Sequence, residues 1–270
     1  MAYAGYPVMV GPGPNPLQAI GLVYAVLLVV VAALLWRTGR FSRQVRYALL
    51  LLTVLLGFVI FSPMLPHQFQ QLVLRAGTPI GAGLLGAVGA IGLLLLLGFL
   101  FGRHFCGYLC PIGAVQELAY LAPVPKVRTT RTRELSLVRG LALLLVLGAG
   151  IGAGVAVLDL FGFADFFRLT VTAGFFAFAA VLAVSLFFYR PFCRLVCPLG
   201  VPFQLAAIPA RWQIRRTDAC VACGRCERAC PTGEAGPGAS KGECYLCRRC
   251  VETCHVPGAL VYGGRPPRRD

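Results

Sequence analysis

Long apolar stretches separated by short charged segments fill the first 190 residues of the chain. A helix that crosses a bilayer needs about 20 mostly apolar residues. Stretches of this kind lie at 17–36, 47–66, 80–101, 136–158 and 171–189. Beyond them the chain becomes rich in cysteine, and two short apolar segments, around Trp212 to Ile214 and Ala259 to Tyr262, are predicted to pair as strands. The pattern predicts an α-helical integral membrane protein with about five transmembrane helices and a small C-terminal α+β domain.

This pattern divides the chain into three parts. We predict a Pro/Gly-rich tail at 1–16, a transmembrane domain at 17–211 and a cysteine-rich domain at 212–270. The tail starts without a basic residue and lacks a small-residue cleavage site, so a secretory signal peptide is not expected.

Arginine positions predict the orientation, because cytoplasmic loops carry more Lys and Arg than the opposite loops. Basic residues cluster at 37–46, at 103–139 and after 190, whereas the alternate segments hold Arg75 and Arg168. With five spans, this distribution places the N-terminus outside. We predict a multi-pass protein of the cytoplasmic (inner) membrane, with all 12 cysteines on the cytoplasmic side.

Composition agrees with a membrane protein. Hydrophobic residues make up 58% of the chain and charged residues 13%, whereas soluble domains have roughly 45–50% and about 25%. The formal net charge is +15, but its arginines flank apolar spans or cysteines and form no legible nucleic-acid module. We attribute the charge to topology and expect no nucleic-acid partner.

The C-terminal cysteines form two runs with the spacing C-x2-C-x2-C-x3-C: Cys220, Cys223, Cys226, Cys230 and Cys244, Cys247, Cys250, Cys254. In two-cluster ferredoxins with this spacing, the fourth cysteine of each run ligates the other cluster. We predict one [4Fe-4S] cluster on Cys220, Cys223, Cys226 and Cys254, and a second on Cys244, Cys247, Cys250 and Cys230. Pro231 after the fourth cysteine suggests that Cys230 lies at a helix start.

Other uses of these cysteines fit less well. Zinc sites separate two cysteine pairs by more residues than these runs allow. Disulfides are disfavoured in a reducing compartment, and the haem-attachment motif C-x-x-C-H is absent. His255 stands where a second proline is expected, which removes no ligand.

A second motif occurs twice in the transmembrane domain, as FCGYLCPIGAVQELA at 105–119 and FCRLVCPLGVPFQLA at 192–206. Each copy follows a pair of predicted spans, which indicates a parallel internal repeat about an axis along the membrane normal. The repeat would gather four cysteines at the cytoplasmic surface as a further metal centre: Cys106, Cys110, Cys193 and Cys197. Arg103, Arg190 and Arg194 beside them favour this interpretation.

The alternative is that each cysteine pair packs as small apolar groups between a membrane helix and an amphipathic surface helix. If the metal interpretation holds, the second cysteine of each motif would lie at a helix N-terminus, where the helix dipole favours a thiolate. His104, Tyr108 and Glu117 are candidate proton acceptors near the first motif, but each also has an ordinary boundary or surface role. Catalytic residues therefore stay unassigned.

At these motifs the chain resembles the membrane polyferredoxins typified by the NapH-type membrane subunit of quinol dehydrogenases. The membrane half of NosR-type proteins is similar. The resemblance covers roughly residues 45 to 262. The span at 17–36 is additional to the four of NapH-type members, and the segment Thr170–Ala173 matches a flavin-attachment motif poorly.

The resemblance implies an electron-transfer subunit that exchanges electrons with the quinone pool and passes them through iron-sulfur clusters to other subunits of a redox complex. Two alternatives stay open. One is a membrane iron-sulfur reductase that serves metal-cofactor maturation, and the other is a non-catalytic, redox-sensing anchor. Reduction by a quinol analogue favours the first function, reduction of metal ions the second, and neither favours the third.

Overall fold

The computed structural model describes residues 16–60, 65–74, 82–128 and 132–264, so residues 1–15 of the predicted tail lie outside this part. Its α-helices, α1 to α11 in chain order, are Pro16–Arg37, Arg43–Ile60, Leu65–Leu74, Ala82–Phe101, Pro111–Ala119, Thr132–Ala153, Phe163–Phe167, Ala173–Phe187, Gly200–Ala207, Arg225–Ala229 and Arg249–Thr253. π-Helical turns occupy Phe105–Leu109 and Phe192–Val196, and a 3-10 helix occupies Val157–Phe161. The strands are β1 (Trp212–Arg216) and β2 (Leu260–Gly264).

Helices α1, α2, α4, α6 and α8 overlap the five predicted spans, of which residues 61–64 and 80–81 lie outside the described part. Within the described residues, two stretches are long and apolar enough to cross a membrane, Ile20–Arg37 in α1 and α6. In these stretches 33% and 17% of the residues are buried, so most side chains face outward, unlike those of a soluble core helix. Leu141 and Leu144 of α6 are 66% and 65% exposed. Both helices favour membrane association, and a crossing by all five stays a prediction.

The two strands form where the sequence predicts them and attach the C-terminal domain to the helices. β1 pairs antiparallel with β2, with Ile214 opposite Tyr262, which confirms the predicted pairing. The Tyr262 hydroxyl donates a 2.7 Å hydrogen bond to the carbonyl of Phe101 at the end of α4. Arg37 at the end of α1 stacks 4.2 Å from the centre of the Trp212 ring. We call residues 212–264 the ferredoxin module and the helix ends that touch it the module side.

A layer of short elements covers the opposite ends of the helices, which we call the far side. This layer consists of α3, the 3-10 helix and α7. The Gln70 amide nitrogen of α3 donates to Asp159 Oδ1 at 2.9 Å, and the Leu158 amide donates to Gln70 Oε1 at 2.6 Å. These bonds join α3 to the 3-10 helix. At Gly57 of α2, an added Cβ would lie 2.7 Å from Pro111 and 2.9 Å from Phe167 of α7.

Candidate functional site

The ferredoxin module holds its eight cysteines around two cavities. One cavity is lined by Cys220, Cys223, Cys226 and Cys254. The other is lined by Cys230, Cys244, Cys247 and Cys250. We call them the first and second ferredoxin sites. Each site takes its fourth cysteine from the other run, which is the grouping that the sequence predicts.

The fourth cysteines do not begin helices, contrary to the expectation from Pro231. Cys230 is the residue that ends α10, and Cys254 is the residue that ends α11. Turns follow Pro231, where Gly233 has a φ of +77°. A left-handed residue two positions after the proline ends any helix that the proline could have started.

The cysteines of both membrane motifs also meet at a single cavity. This cavity is lined by Cys106, Cys110, Cys193 and Cys197, which we call the four-cysteine site. The motifs reach it through matching elements, because each has a π-helical turn after an arginine and a short helix after the second cysteine. The structure thus brings the cysteine pair of the first motif together with the distant pair of the second motif.

The two motifs differ at their second cysteine. Cys110 caps α5, with Pro111 as the first helical residue, as predicted. In the second motif α9 begins at Gly200, so its cap is Leu199, and the predicted position of Cys197 at a helix N-terminus is wrong. The Gly200 amide instead donates to the Cys197 carbonyl at 3.0 Å, within a turn.

The four-cysteine site lies inside the bundle, deeper than the surface position expected from the sequence. Arg103 and Tyr245 form its wall on the module side, whereas Leu65 and Pro66 of α3 reach it from the far side. Helix α5 is not an amphipathic surface helix, because Pro111 to Ala114 and even Glu117 are buried. The surface helix of the alternative interpretation is therefore absent after the first motif, whereas Leu205 of α9 in the second motif is 63% exposed.

Buried arginines hold the backbone of both motifs. Arg190 donates to the carbonyls of Cys106 and Gly107, the second at 2.7 Å. Arg139 donates to the carbonyl of Cys193 at 3.4 Å. An added Cβ at Gly113 would lie 3.1 Å from Arg190 Nη1, so the chain needs a glycine where this guanidinium passes.

Two glutamates bind these arginines. Glu243, in the module, contacts Arg139 at 2.7 Å, Arg103 at 3.1 Å and Arg194 at 3.4 Å. Glu117, on α5, contacts Arg190 at 3.0 Å and Arg249 at 2.7 Å. We call these residues the arginine layer: Arg103, Arg139, Arg190, Arg194, Arg249, Glu117 and Glu243. Arg103 of this layer lines the four-cysteine site and stacks on Tyr245, which lines both that site and the second ferredoxin site.

The charges of this layer fit an anionic cluster at the four-cysteine site. Arg103, Arg139, Arg190 and Arg194 are fully buried, whereas Glu117 and Glu243 are the buried carboxylates that they contact. Unbalanced positive charge inside a protein is costly. A [4Fe-4S]²⁺ core with four thiolates carries a net charge of about −2, which has the sign that would offset the positive excess of the arginine layer.

Burial opposes ionisation of the thiols at the four-cysteine site. Burial raises the pKa of the Cys193 thiol to about 11, although Arg190 lowers it. Burial raises the pKa of Cys110 well above its usual value, and the neighbouring Cys193 raises it further. Four thiolates close together repel one another, so a positively charged iron-sulfur core is what would keep them deprotonated.

In the part of the chain that the structure describes, no three His, Cys, Asp or Glu side chains are arranged around one ion position.

The three candidate proton acceptors are all buried against the module. Burial lowers the pKa of His104 to about 3, and its ring lies 3.2 Å from the Tyr262 hydroxyl. Tyr108 donates to the carbonyl of Leu246. Burial raises the pKa of Glu117, but Arg249 and Arg190 outweigh it and lower that pKa to about 2. These side chains join the module to the helices and are poorly suited to accept protons.

Gly107 marks the closest approach of the first motif to the module. An added Cβ there would lie 2.5 Å from the backbone carbonyl oxygen of Tyr245. We expect Gly107→Ala to lower the free energy of unfolding by about 1–3 kcal/mol, because the backbone must shift to accept the methyl group. Gly140→Ala in α6 is the matched control, since nothing lies within 4 Å of its added Cβ. Equal thermal unfolding midpoints for both variants would contradict this contact.

Comparison with known proteins supports the iron-sulfur assignment. A sequence family described as a 4Fe-4S binding domain matches residues 82–130 and again 170–216, stretches that each contain one membrane motif. A second family with the same description matches residues 214–233. The electron transport protein YccM of Escherichia coli (strain K12) is 29% identical over 212 residues, which cover 68% of this chain and 59% of YccM. The chain is thus similar to 4Fe-4S binding proteins over these stretches.

Two further proteins are similar in sequence to this chain. The regulatory protein NosR of Pseudomonas aeruginosa is 32% identical over 177 residues, 58% of this chain and 24% of NosR. The methylamine utilization ferredoxin-type protein MauN of Methylobacillus flagellatus is 28% identical over 163 residues, 55% of this chain and 56% of MauN. The chain thus spans less than two thirds of each of these relatives. No solved structure matches it. The matches with 4Fe-4S binding domains support an iron-sulfur protein.

Sequence reasoning overlooked two residues of the site, Glu243 and Tyr245. Glu243 directly precedes the second cysteine run and Tyr245 lies inside it. The sequence does indicate that Arg103 and Arg190 belong to the site, because each lies three positions before the first cysteine of a motif. No comparable signal linked Glu243 to them.

Proposed function

We propose that this protein is a membrane-bound electron-transfer subunit that links the quinone pool to a redox partner through iron-sulfur clusters. The main support is the meeting of both membrane motifs at one cavity, directly beside a module with two further cysteine sets. A structural role for the motif cysteines would not require four thiols around one cavity. Nor would it require the arginine layer beside that cavity.

The proposal includes three clusters. Two [4Fe-4S] clusters belong to the first and second ferredoxin sites, and a third iron-sulfur centre belongs to the four-cysteine site. When bound, such clusters accept and release one electron at a time. The role of the chain is to hold the sulfurs, to balance their charge with the arginine layer and to exclude water, since Arg190 and Arg194 are fully buried.

Quinol is the proposed electron donor because the four-cysteine site is reached through apolar surroundings. Its walls include Leu65, Phe105, Phe192 and Phe203, and the outer faces of α1 and α6 are largely apolar. A lipid-soluble donor is suited to such a position. We further propose that all five helices cross the inner membrane, with the N-terminus outside and the module in the cytoplasm, as the arginine distribution favours.

The first ferredoxin site is the proposed contact with other subunits of a redox complex. Cys223 is exposed and Val221 is 62% exposed at the rim of this site, whereas the cysteines of the second site are buried or half-buried. Electron transfer to a partner requires a centre close to the surface. The matching element order of the two motifs, together with the double family match, supports the proposed parallel repeat.

Anaerobic protein in lipid nanodiscs tests the quinone link. We expect a short-chain quinol to reduce the iron-sulfur clusters to the extent set by their potentials, because the donor reaches the four-cysteine site from the lipid. Low-temperature EPR measures the reduced clusters. Dithionite gives full reduction as the reference. The control is a Cys106→Ser, Cys193→Ser variant. In this variant quinol should reduce few of the clusters in the ferredoxin sites, whereas dithionite should still reduce them.

Other outcomes favour the other functions. If quinol leaves the wild-type clusters oxidised while the dithionite-reduced protein reduces cupric or ferric ions in a stoichiometric reaction, a maturation reductase is supported instead. If neither reaction occurs, the quinone proposal fails and a sensing or anchoring role is favoured.

A further inference from the structure

Tyr245 lies between two of the three cysteine sites. It stands in the second cysteine run, between Cys244 and Cys247. Its side chain lines the four-cysteine site and also the second ferredoxin site. The first ferredoxin site is lined by other residues, among them Val221 and Arg225.

Contacts on several sides hold this side chain in place. The guanidinium of Arg103 lies 4.3 Å from the centre of the Tyr245 ring, and that of Arg190 lies 4.9 Å from it. The Tyr189 ring meets it edge-on at 5.9 Å. Its backbone carbonyl faces Gly107. Tyr245 is therefore fixed between the two membrane motifs and the module, with little freedom to turn away.

The hydroxyl group of Tyr245 has no hydrogen-bond partner among the described residues, although the residue is only 2% exposed. A buried hydroxyl without a partner costs about 1–3 kcal/mol. Burial raises the pKa of this phenol above its usual value, Arg103 lowers it, and the Glu243 carboxylate and the Cys193 thiol raise it. Tyr245 lines the four-cysteine site together with Cys106 and Cys193, so a sulfur there is an available acceptor for this unpartnered hydroxyl.

We infer that Tyr245 is the contact between the four-cysteine site and the second ferredoxin site, and that its hydroxyl donates a hydrogen bond to a sulfur at the four-cysteine site. This inference rests on the proposed function, because it needs an iron-sulfur centre on those four cysteines. It makes Tyr245 a positioning residue, which adjusts the potential of one centre and couples that centre to the second ferredoxin site rather than to the first.

The expected effect of the hydroxyl follows from charge. A hydrogen bond to a cluster sulfur stabilises the more negative, reduced form, so it raises the reduction potential. Tyr245→Phe keeps the ring, the arginine stacking and the backbone contact but removes the donor. We therefore expect the reduction potential of the third centre to shift to lower values, with an unchanged iron content.

Tyr189→Phe is the matched control. Tyr189 is buried to a similar degree, and it lines the second ferredoxin site without lining the four-cysteine site. Both variants and the wild-type protein are compared by anaerobic redox titration followed by EPR, together with iron and sulfide analysis. The third signal is identified as the one that disappears in the Cys106→Ser, Cys193→Ser variant.

The outcomes separate the inference from the function on which it rests. A lower potential of the third signal in Tyr245→Phe, with no shift in Tyr189→Phe, supports the hydrogen bond. Equal potentials in all three proteins overturn it, while the third centre itself stands. A wild-type protein without a third signal overturns the third centre instead.

A second test needs no substitution. Reduced wild-type protein should show magnetic coupling between the third signal and one ferredoxin signal, and the absence of this coupling contradicts the contact.

Discussion

Replacing Cys106 and Cys193 with serine is expected to remove about a third of the iron. With three four-iron clusters, the wild-type protein binds about twelve irons, and the double variant keeps about eight in the ferredoxin module. The variant takes one ligand from each membrane motif, and both thiols line the same cavity. The remaining two cysteines cannot hold a cluster against loss to solvent chelators, so acid-labile sulfide should fall in parallel.

The control for this experiment is Cys220→Ser, which removes a ligand from the first ferredoxin site. It should weaken a ferredoxin signal and leave the signal of the four-cysteine site in place. Low-temperature EPR of reduced samples separates the two cases. About eight irons in both the wild type and the double variant would mean that the four-cysteine site holds no cluster, and its thiols would then have a packing role.

Glu243→Gln is expected to destabilise the protein by about 3–5 kcal/mol, because it leaves buried arginines without their carboxylate. Glu243 contacts Arg103, Arg139 and Arg194, and both ends of each pair are almost fully buried. Burial raises the pKa of this carboxyl, but the three guanidiniums outweigh it and lower the pKa, so it stays ionised near neutral pH. The thermal unfolding midpoint, measured in one detergent, should fall clearly.

Glu227→Gln is the matched control in the same module. Glu227 forms one ion pair, with Arg216 at 2.6 Å, and its side chain is 44% exposed. Exposed pairs of this kind contribute about 0–1 kcal/mol. A Glu243→Gln variant as stable as Glu227→Gln would show that another anion balances the arginines, and the iron content of the variant would tell whether that anion is the cluster.

The location of the four-cysteine site affects how electrons can cross the bundle. The site meets the module through Tyr245 and meets the far-side layer through Leu65 and Pro66. Phe192 of the second motif also packs against Phe161 and Phe163 of that layer, at 5.6 and 6.0 Å between ring centres. A centre in this position is closer to the far side than one at the module surface would be, which shortens any electron path between the two sides.

The local features of this protein were legible from its sequence. Apolar runs predicted the helices, because a long apolar stretch must bury its backbone hydrogen bonds in a helix when water is absent. The spacing of the C-terminal cysteines predicted both ferredoxin ligand sets, because short loops restrict which thiols can surround one cluster. Two short apolar segments predicted the strand pairing of Trp212–Arg216 with Leu260–Gly264.

Tertiary structure decided the features that depend on contacts between distant segments. The depth of the four-cysteine site depends on α3 and α7 folding onto the motifs, and the helix expected after Pro231 is replaced by turns. Arg103 meets Glu243 from 140 positions away, and Tyr245 reaches a cavity built by other elements. No local pattern encodes such pairs, because a buried charge or phenol is defined by the groups that packing brings around it and not by its neighbours in the chain.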